Sequence, residues 1–443
     1  MESRVVITGL GAIAPTGNSI GEFTEGLRKG KSGIRYCPDL IKHEFLCLLG
    51  GQPQLDETEI ESFTNRFSLV KLRSMGILYG CMAGVEAWGD SGLPILPHDA
   101  DEPDWQSGCF FGSNSNGLEA IEQAIRLTKK GEVKRIGGRA AQQAMNSGIS
   151  AYLGGIIGLG NQVTTNSSSG NTGLESIIES YYRIKCGLAE RMLAGSSEGS
   201  NYHIWAGEDA MTTVDSIHSV IKGKESILQR EDFYQNPDKA CQPLSQYANG
   251  FVPGAGAGAV VLESLSSALA RNATIYAEIV GVSVSSGAGT EGLLFDMNER
   301  GMRNCIGQAI AAAGIDASEI DLISGHLTGL PDHDLAEVKA WVKELGRQGE
   351  DFPLINAPKS MLGNCFAAAG SLEVIASILQ LHHKFVHPSL NAVDLHSAIK
   401  PLIGSGKVPS NTIDEANLKY IAKGSFGFGG VHSCIILKKW QNS

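Results

Sequence analysis

At 443 residues, with 42% apolar and 19% charged, the chain has the composition of a soluble globular protein: two or three ordinary domains, or one large α/β body. Its net charge is -11 and its basic residues gather only in "KKGEVKR" at 129–135, which argues against a nucleic-acid partner. The N-terminus enters a strand without the parts of a signal peptide, no apolar run reaches membrane-spanning length, and nine cysteines lie scattered without CxxC pairs or neighbouring histidines. A cytoplasmic chain with no membrane span, no disulfide framework and no metal site is expected.

In chain order, residues 4–15, "RVVITGLGAIAP", read as a buried strand running into a glycine turn. Gly9, Gly11 and Ala14 superficially fit a dinucleotide-binding pattern, but Pro15 interrupts the helix that would receive a pyrophosphate. A helix is predicted within 17–33 and mostly helix over 58–92. A polar connection with Pro94, Pro97 and Pro103 then leads to a strand at "SGCFFGSN". Residues 112–117 close that strand and open another helix, and small residues dominate 137–160, as where helices and backbone pack closely.

The stretch 162–180, "QVTTNSSSGNTGLESIIES", organises the chain. A short β-prone run stops at Asn166 and meets three serines and a glycine; Leu174, Ile177, Ile178 and Tyr181 then space out one buried helical face. Strand, sharp turn and helix N-terminus together present a nucleophile in many folds, yet serine and glycine are the weakest candidates for that role without a base. "MLAGSS" at 192–197 is a further strand, 216–240 reads as a surface excursion, and "GFVPGAGAGAVVLE" at 250–263 is a glycine-rich turn followed by a buried strand.

Near 265 the pattern begins again. Strand "IYAEIVGVSVS", helix "GMRNCIGQAIAAAGI", strand "IDLISGH", helix "LAEVKAWVKEL", strand "PLINAP", helix "AAAGSLEVIASILQLHH" and strand "SCIILKK" repeat the alternation of the first half. This predicts an α/β fold with a mostly parallel sheet in each half, divided into 1–265 and 266–443 and meeting where the turns converge.

"VVITGLGAIAPTGNSIGEFTEGLRKGKSGI", "GFVPGAGAGAVVLE", "HLTGLPDHDLAE" from His326, "PKSMLGNCFAAAG" from Pro358 and "GSFGFGGVHSCIILKK" from Gly424 resemble the β-ketoacyl-ACP synthases, in order and over nearly the whole chain. That resemblance implies a thiolase fold, two pseudo-symmetric βαβαβ halves in a five-layered αβαβα arrangement working as a dimer. The chemistry it implies is acyl transfer to a cysteine, decarboxylation of a malonyl thioester helped by two histidines, and carbon–carbon bond formation. No cofactor is implied, because substrates ride on the phosphopantetheine of an acyl carrier protein.

The departures from the family pattern carry the functional reading. His326 and Thr328 are kept, but Leu327 and Leu330 replace Gly and Thr; Asp334 and Glu337 match the acidic pair, and Lys359 matches the buried lysine that resembles their partner. Asn364 stands at the second histidine, where it can donate a hydrogen bond but cannot titrate. The nucleophile position falls on Ser167 when counted from upstream and on Gly170 when counted back from Gly187; neither register supplies a cysteine. Cys365 reads as a buried structural thiol, and His333 and His432 as loop histidines.

Loss of cysteine and histidine together resembles the chain-length factors, or ketosynthase-β subunits, of type II polyketide synthases. Ala248-Asn249 and Ala255, in place of Arg-Asp and Glu, point the same way. That branch implies a heterodimer with a catalytic ketosynthase-α subunit, docking of acyl carrier protein mainly on that partner, and a tunnel whose floor sets chain length. Residues 112–148 would line the tunnel, with Ser115, Arg139 and Ala140 as candidates, and Phe428 matches the family's gating phenylalanine. Two alternatives stay open: an acyltransferase with Ser167 as nucleophile, and a decarboxylating priming enzyme built on His326 and Asn364.

Overall fold

Val5–Ile13 forms β1, and all nine of its residues are buried. An apolar run without alternation is what a strand covered on both faces requires. A computed structural model describes residues 3–69, 71–209, 230–248, 250–287 and 298–441. The first half contributes β1, β2 (Ser107–Gly112), β3 (Val163–Thr164), β4 (Arg191–Glu198) and β5 (Gly256–Ser264). The second contributes β6 (Ala277–Ser286), β7 (Leu322–Ser324), β8 (Leu354–Asn356), β9 (Tyr420–Gly427) and β10 (Val431–Lys439).

The strand order is β3-β2-β4-β5-β1-β6-β10-β9-β7-β8, so each strand of the first half has a counterpart five places on in the second. In both halves the first and fifth strands pair antiparallel, as do the fifth and fourth, whereas the fourth and second, and the second and third, run parallel. Each half is therefore mixed rather than mostly parallel. Only Val5–Ile279, Val6–Glu278 and Ile7–Ala277 join β1 to β6 between the halves.

Five layers follow from what the helices cover. The outer layer on the first half is α1 (Met75–Asp90), preceding α2 (Leu118–Lys129) and α3 (Arg139–Ala144) in a peripheral hairpin, together with α4 (Gly148–Ile157). In the middle lie α5 (Thr172–Lys185) and α8 (Ala369–His383), each packed against both halves of the sheet. Between these in sequence, α6 (Glu299–Ala313) and α7 (Pro331–Leu345) form the far outer layer. Leu174, Ile177, Ile178 and Tyr181 of α5 join Leu372, Ile375 and Leu379 of α8 in the shared core, as the spacing predicts for α5.

The N-terminal glycines serve this packing. A Cβ at Gly9 would lie 2.2 Å from the Ala87 carbonyl oxygen, and one at Gly11 would lie 1.9 Å from that of Ala83, so both let α1 press onto β1. Two sequence readings need correction. The apolar pattern does not mark β9, because Lys423 interrupts its run, yet all eight of its residues are buried. Of the predicted surface excursion, 216–229 and likewise Asn249 lie outside the described residues, while Arg230–Gln235 is a short helix that buries Phe233.

Candidate active site

The turn between β3 and α5 is bound together by its own short polar side chains. Asn166 Nδ2 donates to Thr172 O at 3.0 Å, Ser176 Oγ donates to Asn166 Oδ1 at 2.7 Å, and the Ser168 N–H donates to Thr172 Oγ1 at 2.8 Å. Ser169 takes a left-handed φ of 52°, which sharpens the bend and turns Gly170 inward. Asn171 fastens the turn to the second half: its Nδ2 donates to Val431 O at 2.7 Å and its Oδ1 accepts from Ser433 Oγ at 2.6 Å.

Gly170 faces His326. A Cβ at position 170 would sit 3.0 Å from His326 Cε1 and 3.6 Å from Nε2. Around them Ser169, Thr328, His333 and Asn364 line one cavity with Phe366, Phe426 and Phe428, and the space left is about 20 Å³. Ser167 is exposed and does not line it. Of the two positions, residue 170 is the one that faces the histidine.

His326 is fixed from behind. Glu337 accepts the backbone N–H groups of His326 and Leu327, both at 2.8 Å, and the indole N–H of Trp341 at 3.3 Å. Asp334 does the same for the next turn, accepting Thr328 N–H at 2.9 Å and Leu244 N–H at 2.9 Å. Leu327 holds a φ of 28°, which explains why glycine suits this position in the family pattern. Burial pushes Asp334 up to about 7 and raises Glu337 as well, opposed by these backbone hydrogen bonds.

The acidic pair is thus occupied with backbone, and Lys359 has a different carboxylate. Its Nζ donates to Glu373 Oε1 at 2.6 Å and to His326 O at 2.7 Å, and lies 3.3 Å from His326 Nδ1. Lys423 Nζ approaches the other oxygen, Glu373 Oε2, at 3.0 Å, out of line for a hydrogen bond but within ion-pair range. Sequence reasoning missed Glu373 and Lys423. Their signal was present: each is a lone charge inside an otherwise apolar run.

Burial, then the positive charges of Lys359 and Lys423, hold the His326 imidazole well below its ordinary pKa. It is neutral, and because an ammonium can only donate, Nδ1 is the accepting nitrogen and the proton sits on Nε2, on the Gly170 side. Asn364 Oδ1 accepts the Phe366 N–H at 3.3 Å, so what it has left to offer the cavity is an amide donor. His326 and Asn364 therefore turn two hydrogen-bond donors toward the cavity, and position 170 between them carries no side chain.

A family pattern described as the N-terminal domain of β-ketoacyl synthase matches residues 2–268, and one described as its C-terminal domain matches 276–393. The chain is 30% identical over 98% of both chains to 3-oxoacyl-[acyl-carrier-protein] synthase 2 of Vibrio harveyi. The chain belongs to the β-ketoacyl synthase family. It is also 29% identical to 3-oxoacyl-[acyl-carrier-protein] synthase 1 of Escherichia coli (strain K12), over 99% of this chain and all of that one. Among solved structures, a complex of a type II PKS acyl-carrier protein with its ketosynthase bound to the hexaketide matches with a TM-score of 0.83 at 26% identity, over 99% of this chain and 100% of that one. The ishigamide ketosynthase/chain length factor matches with a TM-score of 0.81 at 25% identity over the full length of both chains. The fold is the thiolase-like ketosynthase fold.

In this β-ketoacyl synthase family member the remaining candidates fall in three places. Phe428 lines the cavity and meets His333 edge-on at 5.9 Å; His333 belongs to α7 rather than to a loop. His432 lies in β10, fully buried, with neither ring nitrogen in a hydrogen bond of good geometry among the described residues, and burial pushes it down to about 4. Cys365 is buried with Sγ 3.5 Å from Ala255 O, and burial pushes its thiol up. Arg139 and Ala140 lie apart from the cavity, on two adjoining grooves at α2 and α3, Ala140 lining both and Arg139 only the one it shares with Lys71 and Arg73, whereas Ser115 lines neither. No cluster of His, Cys, Asp or Glu suited to a metal occurs among the described residues, and no helix among them is long and apolar enough to cross a membrane.

Proposed function

We propose that this chain is the non-catalytic member of a ketosynthase pair, a chain-length factor or ketosynthase-β subunit of a cytoplasmic type II polyketide synthase. The observation that carries the reading is Gly170: the position opposite His326 bears no side chain, and the cavity there measures about 20 Å³. Such a space holds about one water, whereas sites for organic ligands run to roughly 300 Å³ or more. A thioester has no side chain at position 170 to join and little room to stand.

The relatives named above are called synthases, and the partner in this reading supplies what this chain lacks. The catalytic ketosynthase-α subunit carries the cysteine and its two histidines, and this chain contributes interface and the end of the tunnel. The groove of α2 and α3, about 600 Å³ and lined by Ile121, Ala124, Ile125, Ala140 and Ala144, is the apolar surface for that contribution. Acyl carrier protein docks mainly on the partner, in keeping with the -11 charge of this chain. Lys71, Arg73, Arg135 and Arg139 do surround a neighbouring groove, so salt-sensitive binding of carrier protein to the isolated chain would move docking here.

The test is co-expression with a catalytic type II ketosynthase, followed by intact-mass analysis after incubation with an acyl-loaded carrier protein. Acyl mass on the partner alone, in a 1:1 complex, is expected. Acyl mass on this chain that disappears in Ser167→Ala would overturn the reading in favour of an acyltransferase. A second reading has one observation behind it: the Nε2–H of His326 and the amide of Asn364 would stabilise an enolate, and acetyl-carrier formed from malonyl-carrier without acylation would favour a decarboxylating priming enzyme.

A further inference from the structure

His326 and Asn364 are each only 6% exposed, and both line the small cavity beside Gly170. Each has one side committed. Lys359 stands at His326 Nδ1, and Asn364 Oδ1 accepts from Phe366, which leaves the Nε2–H of the one and the amide NH2 of the other. Among the described residues no group accepts from either. Buried donors are almost always paired, so two unpaired ones around one space call for an acceptor that the chain does not itself supply.

The space suits a small acceptor. A Cβ at Gly170 would meet only the imidazole within 4 Å, and the volume of about 20 Å³ is that of one water or one ion of similar size. Phe366, Phe426 and Phe428 supply apolar wall, and no acidic side chain lines the cavity. The carboxylates behind it face other groups: Glu337 and Asp334 accept backbone N–H groups of residues 326–329, and Glu373 faces Lys359 and Lys423. Two ammonium groups thus share one carboxylate. Their field, which disfavours a proton on His326, favours an anion beside it. The dipole of α5 adds to it, because that helix of fourteen residues starts at Thr172, two places after Gly170.

We infer that this cavity is a binding site for one small inorganic anion of the halide class, held by the Nε2–H of His326 and the amide NH2 of Asn364 beside Gly170. A water would accept both hydrogen bonds but would gain little from the positive charge behind them. The class of anion follows from the space. One atom that accepts from both donors fits, whereas a carboxylate or a phosphate brings further atoms for which the phenylalanine rings leave no room. Chloride and bromide meet both demands; fluoride is held more tightly by bulk water and loses most on entering a site walled by apolar rings. The inference goes beyond the non-catalytic reading and does not depend on it, since it concerns only what the space beside Gly170 admits.

The experiment measures chloride NMR linewidths over the full chain in sodium chloride, with sodium gluconate holding the ionic strength constant. Broadening of the chloride signal by the protein should be reversed by bromide but not by fluoride or acetate. In protein labelled at histidine nitrogen, the His326 Nε2 resonance should move with a saturating, one-site dependence on chloride. Gly170→Ala puts a methyl group into the space and Asn364→Leu removes one donor; each should cut the bromide-reversible broadening about ten-fold. The leucine variant keeps the test decisive if the alanine variant does not fold. Equal broadening in all three proteins would place the chloride on exposed lysines and arginines and overturn the site. Reversal by acetate as readily as by bromide would overturn the halide class, and a His326 resonance that ignores chloride would leave water as the occupant and sink the proposal. The chloride titration reads the isolated chain, whereas intact mass reads where acyl groups go, so the two proposals can fail separately.

Discussion

Glu373 is asked to neutralise two buried ammonium groups, and replacing it with glutamine should be the most damaging conservative change in the site. Lys359 Nζ and Lys423 Nζ lie 2.6 and 3.0 Å from its two oxygens, with all three side chains at most 1% exposed. At an effective dielectric of about 20, each contact is worth roughly 6 kcal/mol of gross attraction. Each buried ion also carries a desolvation penalty of several kcal/mol. Glu373→Gln forfeits both attractions and keeps both ammonium penalties, so the expected loss is about 3–5 kcal/mol. Lys423→Met is the control: it removes one attraction together with the penalty of the ion that made it and leaves Lys359 and Glu373 paired one to one, so its cost should be about 1 kcal/mol or less. Urea unfolding followed by tryptophan fluorescence, with slopes compared to confirm that the same surface is exposed, gives both numbers. A loss in Lys423→Met equal to that in Glu373→Gln would refute the reasoning, since the second lysine would then be holding the fold up rather than sharing its neighbour's counter-ion.

Three further outcomes are expected. Burial raises Glu198 to about 8, above its unfolded value of roughly 4.3, so its contribution to stability is complete below about pH 4 and is lost as pH rises through about 8. Thermal midpoints at pH 6 and pH 8.5 should therefore fall farther apart in the wild type than in Glu198→Gln; equal gaps would contradict the assignment. Glu337→Gln swaps one of two accepting oxygens for an NH2 group facing a backbone N–H, at a cost of about 1–3 kcal/mol, and the His326 loop should lose amide-exchange protection before α7 does. Ala140→Trp fills the α2–α3 groove, and the co-expressed pair should release products at least one extender unit shorter by mass spectrometry, whereas Ser115→Trp, off that groove, should leave chain length unchanged.

Much of the fold was written in local pattern. The strand–helix alternation and its repetition after residue 265 locate nine of the ten strands, because a strand buried on both faces must be a continuous apolar run. Strand direction is not written there: β1 and β5 would show the same run whether paired parallel or antiparallel, and chain connectivity decides it. β9 was hidden by Lys423, whose charge makes sense only beside Glu373, 50 residues away on another element. The site was legible to the same extent. His326, Asn364 and Lys359 stand in motifs, but whether Ser167 or Gly170 faces the histidine depends on where the turn bends, and Asn166, Thr172 and Ser176 settle that with bonds no count along the chain could weigh.

The division between what this family member retains and what it lacks follows the division between positions that hold backbone and positions that hold only space. Glu337 and Asp334 between them accept backbone N–H groups from His326 through Gly329, and removing either would strand buried donors at about 1–3 kcal/mol each. Glu373 neutralises Lys359 and Lys423 inside the core, and it cannot be lost without leaving both ammonium groups buried and uncompensated. Gly170 carries no such duty. Its missing side chain would have touched His326 and nothing else within reach, so exchanging a nucleophile for hydrogen there costs the fold no hydrogen bond. Asn364 likewise ties itself down through backbone bonds with Val252 and Gly254, which any side chain would preserve. Chemistry can therefore be removed from this scaffold at two positions while the framework around His326 stays intact. A chain that keeps the framework around His326 while carrying glycine and asparagine at these positions is therefore physically accessible by two changes.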